Sequence, residues 1–74
     1  MQTPTEKDIE RLQKMYPIGS RVELIRMDDI ASPPVGTQGT VLGIDALGDL
    51  MVAWDNDSSL NLIFEVDECR KISD

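Results

Sequence analysis

Histidine is absent from this sequence, and cysteine occurs once, as Cys69. Without an imidazole there is no ordinary base to activate Cys69 as a nucleophile, and no nitrogen ligand for a transition metal. A single thiol closes no intramolecular bridge. The disulfide framework of many small secreted domains is therefore excluded, and a reducing cytoplasm is the expected setting. No apolar run approaches the ~20 residues of a membrane span. The opening MQTPTEKDIE has neither the basic start nor the apolar stretch of a secretory signal. Aromatic residues are scarce as well, with one Trp, one Tyr and one Phe. The most informative absence is of positive charge. Between Arg26 and Arg70 there is no Lys or Arg, whereas Asp28, Asp29, Asp45, Asp49, Asp55, Asp57, Glu65, Asp67 and Glu68 all fall there. The formal net charge of -7 is thus concentrated in the middle of the chain, a segment that repels phosphate backbones.

What is present reads as one small domain of 74 residues, an N-terminal helix over 1–16 followed by a β unit over 17–74. In TPTEKDIERLQKMY, Thr3 stands as an N-cap, with Pro4 at the first helical position and Glu6 three residues after the cap. The expected helix runs from about Pro4 to Met15, with Ile9 and Leu12 in a narrow apolar stripe that packs on the remainder of the fold. Pro17 and Gly19 end it. From Arg21 the period changes to two. RVELIRM buries Val22 and Leu24 on one face, GTQGTVLGI is a second strand, and DLMVAWD aligns Leu50, Val52 and Trp54. SLNLIF is expected as a fourth strand and CRKIS as a brief fifth, with EVDE turning between them. Gly36, Gly39 and Gly43 are placed to supply bulges and bends. The expected fold class is mainly β, an antiparallel sheet of about five strands curled into a small barrel and preceded by one helix.

The runs YPIGSRVELIRMDD, PPVGTQGTVLGID and VAWDNDSSLNLIFEVDE, covering Tyr16 to Asp67, together resemble a family of short bacterial, phage and mobile-element proteins known only as a domain of unknown function. The matching positions include Tyr16, Pro17, Gly19, Arg21, Met27, Asp29, Pro33, Pro34, Gly36, Gly39, Trp54, Asp55, Ser59, Leu60 and Asp67. The resemblance implies an SH3-like barrel and transfers no activity. Two positions depart from the pattern. Asp57 stands where a Gly is expected after Asn56, and Phe64 stands at a Pro-like position.

Each chemical motif has a plainer explanation. GTQGTV lacks the Lys and the following helix of a phosphate-binding loop, and the Gly-rich hairpin lacks the basic loops with which small barrels hold RNA. DNDSSLNLIFEV places Asp55, Asp57 and Ser59 like calcium-loop ligands, but Leu60 replaces the turn Gly and Val66 the bidentate Glu. Asp28 and Asp29 are adjacent on an extended segment and point to opposite faces, so they form no acid/base pair. No catalytic set, metal or cofactor is expected. The expected function is a noncatalytic module that contacts a protein with a basic surface, without direct nucleic-acid binding. The candidate contacts are Asp28, Asp29, Pro33, Pro34, Trp54, Asp55, Asn56, Asp57 and Ser58. Trp54 is either a core residue or, with Tyr16, Pro33 and Pro34, part of a peptide groove. The alternatives are an acidic mimic of nucleic acid from a mobile element and a nucleic-acid-associated small barrel.

Overall fold

The computed structural model describes residues 4–63 and 66–73. Helix α1 (Glu6–Met15) precedes strands β1 (Arg21–Arg26), β2 (Gln38–Ile44), β3 (Leu50–Trp54) and β4 (Glu68–Ser73). All strand pairs are antiparallel, and the four form one unclosed sheet in the order β3-β2-β1-β4.

The helix is capped by Thr5, two residues after the expected cap. The Thr5 hydroxyl accepts from the Asp8 amide at 3.1 Å, and the Asp8 carboxylate accepts from the Thr5 amide at 2.9 Å. This reciprocal capping box satisfies two amides that have no partner inside the helix, and it leaves Pro4 outside. Thr3 lies outside the described residues. At the other end the Tyr16 amide closes on the Leu12 carbonyl at 2.8 Å before Pro17 breaks the pattern. Among the strands α1 packs on β2, and none of its residues is buried.

The alternation expected of the strands sets the core: Val22 and Leu24 from β1, Val41 from β2, and Leu50, Val52 and Trp54 from β3, closed by Leu62. Gly39 pairs with Val22 on one side and Trp54 on the other, leaving room for the Trp54 ring. Gly43, at φ 154°, sits at the register shift between β2 and β3. Ser20 enters β1 with its hydroxyl buried and without a hydrogen-bond partner among the described residues.

The expected fourth strand is reduced to one bridge. Leu50 and Leu62 exchange two backbone hydrogen bonds of 2.9 Å, and the residues either side of Leu62 form no further ladder. Between the Trp54–Ser58 turn and this bridge, the Trp54 indole N–H donates to the Leu60 carbonyl at 2.8 Å, so a side chain takes the place of a ladder bond. Phe64 falls outside the described residues. The chain then turns at Val66 and Asp67, whose amides both reach the Ile63 carbonyl, and returns as β4, the expected last strand. The sheet therefore has four strands where five were expected.

Across the outer face runs a set of ion pairs. Arg21 is held by Asp55 through two hydrogen bonds of 2.9 and 2.5 Å and also donates to Thr40. Arg70 meets Glu23 at 2.6 Å, and Arg26 approaches Glu68 at 3.9 Å.

Candidate functional site

Asp28 and Asp29 follow β1 after Met27, where pairing with β2 has ended. The Asp29 carboxylate accepts from the Ala31 amide at 2.7 Å, an Asx turn that fixes a bend. Contrary to the expectation that they face apart on an extended segment, both aspartates, at this bend, line a cleft of about 430 Å³ with Asp49, from the end of the β2–β3 hairpin, and Asp67, from the turn before β4. The Asp67 carboxylate accepts from the Ile63 amide at 2.9 Å, which anchors the cleft wall. Asp49 is placed by Asp45, whose side chain accepts from the amides of Leu47 and Asp49, both at 2.9 Å. Met27, Leu60 and Val66 supply apolar lining. Four aspartates from three parts of the chain thus line a partly apolar depression, a composition suited to an alkyl chain that ends in a cation. Among the described residues, no group of three or more His, Cys, Asp or Glu is placed to hold a metal ion.

The other sequence candidates do not join this cleft. Trp54 is 3% exposed and belongs to the core. Pro33 is buried and Pro34 exposed, so the aromatic groove considered from sequence is not assembled. The reason is the alternation of β3, which turns Trp54 inward with Leu50 and Val52.

The Asp55–Ser58 stretch does turn chemistry. Asp55 is paired with Arg21, whose hydrogen bond holds the carboxyl below its usual range. The Asn56 side chain accepts from the Ser58 amide at 3.1 Å. Asp57 has φ 70°, the one non-Gly residue in the left-handed region among those described. This is the position where the sequence resemblance led a glycine to be expected. Asp57→Gly is expected to raise stability by up to about 1 kcal/mol, because removing Cβ relieves the left-handed backbone; greater freedom of the unfolded chain offsets part of the gain. The measurement is the urea midpoint, and an unchanged or lower midpoint would contradict this account of the turn.

Cys69, in β4, is half-buried against Tyr16. Burial pushes the thiol up from its ordinary value, and the Tyr16 hydroxyl only partly opposes that shift, so Cys69 is a thiol at neutral pH.

The sequence profile of a domain of unknown function, DUF4314, matches residues 5–72. The chain belongs to the DUF4314 family. No curated protein matches it significantly. In this DUF4314 domain, five residues that carry the sequence resemblance, Met27, Asp29, Ser59, Leu60 and Asp67, come from separate parts of the chain yet line the same acidic cleft. Sequence reasoning found Asp28 and Asp29 but not Asp49 or Asp67 as their neighbours. The available signal was the Asp49 that closes the hairpin loop and the Asp67 before the last strand, both at points where the chain must turn. No helix among the described residues is long and apolar enough to cross a membrane.

Proposed function

We propose that this DUF4314 domain is a noncatalytic binding module whose acidic cleft takes a Lys or Arg side chain from the basic surface of a partner protein. The observation that carries the reading is the convergence of Asp28, Asp29, Asp49 and Asp67 on one cleft with apolar lining. Complementary charge of this kind speeds encounter and selects the partner. A mimic of nucleic acid presents its carboxylates in rows, whereas these gather in a depression. Direct binding of nucleic acid is disfavoured because Arg11, Arg21, Arg26 and Arg70 each lie beside a carboxylate. Such exposed pairs add little stability but cancel the field that would draw phosphates.

The proposed architecture is an SH3-like barrel in which the fourth strand has shrunk to the Leu50–Leu62 bridge. Support comes from the order of pairing, since the last strand lies beside the first and the segment after β3 returns along β3. The free thiol fits a reducing cytoplasm.

The test is titration of the 15N-labelled domain with an oligoarginine peptide at about 150 mM salt, a Debye length of ~8 Å. Amides of Asp28, Asp29 and Asn61 are expected to shift together. The double variant Asp28→Asn, Asp29→Asn keeps the Asx-turn acceptor and is expected to weaken binding about tenfold, a cost of ~1.4 kcal/mol. A charge-matched control, Glu6→Gln with Glu10→Gln on α1, is expected to change it less than twofold. Equal weakening by both pairs would show that net charge alone attracts the peptide, and the proposal would fall.

A further inference from the structure

We infer that α1 is a releasable strap, which lifts about the Tyr16–Pro17 junction and uncovers part of β2 while the sheet stays folded. The first observation is that none of the ten residues of α1 is buried, so the helix is held by the half-buried Ile9 and Leu12 and by Tyr16 at its C-cap. The second is that space flanks this anchor on both sides. A cleft of about 260 Å³ lies where Leu12 and Tyr16 face Leu50, Leu62 and Cys69. Another, of about 500 Å³, lies where Tyr16 and Ile18 face Leu42, Ile44 and Met51. Both clefts are open to solvent, so α1 rests on β2 along a narrow line between them and is weakly held.

The third observation is where the firm attachment of the chain begins. The Gly19 amide donates to the Val41 carbonyl at 2.8 Å, and the Val41 amide returns to the Ser20 carbonyl at 2.8 Å. From Gly19 onward the backbone is tied into the sheet. Pro17 and Ile18 form the short exposed link before that tie, in a turn that the Ser20 amide closes on the Pro17 carbonyl at 3.0 Å, so the helix pivots on the N-terminal side of this turn.

A ten-residue helix has little stability of its own in water, so undocking and unwinding are one event. The capping box and the Asp8–Arg11 pair shape the helix once it is docked. They do not bind it to the sheet. Opening bares the part of β2 on which α1 packs and widens the cleft lined by Leu50, Leu62 and Cys69. It leaves the β1–β2, β2–β3 and β1–β4 pairings in place, because no residue of α1 contributes to them.

Native-state hydrogen exchange on the full chain decides the matter, read residue by residue by NMR in water and in low urea. Amides of Ile9 through Tyr16 are expected to exchange at least about a hundredfold faster than those of Leu24 and Val41, with a smaller urea dependence, as befits a local opening. Leu12→Ala removes the central anchor without touching the core cluster. It is expected to speed exchange in the helix about tenfold while leaving Leu24 and Val41 unchanged. The strap is overturned if helix and sheet amides share one rate and one urea dependence, which would mark α1 as part of the global cooperative unit. It is equally overturned if Leu12→Ala fails to separate the two groups.

Discussion

Trp54→Ala is expected to leave the domain largely unfolded at 37 °C. The side chain is 3% exposed and forms one end of the core, beside Val22, Val41 and Val52. Truncating a buried tryptophan to alanine costs about 3–5 kcal/mol, and a two-state domain of this size has in total about 0.05–0.15 kcal/mol per residue. The ring also carries a polar function, because its N–H satisfies the Leu60 carbonyl. Trp54→Phe divides the two contributions. Phenylalanine keeps much of the apolar bulk and loses the donor, so the expected cost falls to about 1–3 kcal/mol. Urea denaturation followed by far-UV circular dichroism measures both variants, and the wild-type emission maximum is expected to be that of a buried indole. A native midpoint for Trp54→Ala would remove this residue from the core.

Gly39→Ala is the complementary experiment, since it adds the smallest possible side chain at the place the ring occupies. A Cβ there would lie 2.6 Å from Val52 Cγ1, 2.9 Å from Trp54 Cε3 and 3.0 Å from the Ala53 carbonyl oxygen. The side chains belong to the core and the oxygen to the backbone of β3, so none of the three is free to retreat. The expected loss is about 1–3 kcal/mol, from overpacking. Gly19 provides the contrast, with φ 94° and nothing within 4 Å of an added Cβ. Alanine there suffers backbone strain alone. The steric cause is checked by a cycle: Val52→Ala, costly by itself, is expected to be markedly less costly when Gly39→Ala is present, because it vacates the contested volume. Strict additivity of the two substitutions would mean that Gly39 matters for another reason.

The legible part of the fold was the part written in local periodicity. Val22 and Leu24, or Leu50, Val52 and Trp54, declare their shared face by alternation, and the structure places them together in the core. Local pattern also indicated a helix near the start but put its cap at Thr3, with Glu6 as the reciprocal partner. Thr5, with Asp8 as partner, closes the capping box in the structure. The segment after Ser58 misled because Leu60, Leu62 and Ile63 have the composition of a strand. What it lacks is visible only in three dimensions, since the indole N–H already occupies the Leu60 carbonyl that a ladder would use. The cleft was half legible. Asp28 and Asp29 stood out as neighbours in sequence, whereas Asp49 and Asp67 reach them only through the sheet order β3-β2-β1-β4. Likewise, Asp55 looked like a free acidic contact until the register across β1, β2 and β3 brought Arg21 to it.

An unclosed sheet has two rims, and rims are where proteins of this kind stick to one another. One rim, β3, is guarded from within: the returning chain lies along it, pinned at Leu62 and held by the indole at Leu60. The other, β4, carries Glu68, Arg70 and Lys71 on a strand of six residues, so a second copy laid against it must bring charged side chains close to its own. The same tryptophan that fills the core therefore also acts as a guard against self-association. Variants that lose its N–H are expected to aggregate during refolding as well as to melt earlier, since the exposed β3 rim becomes a template for the next chain.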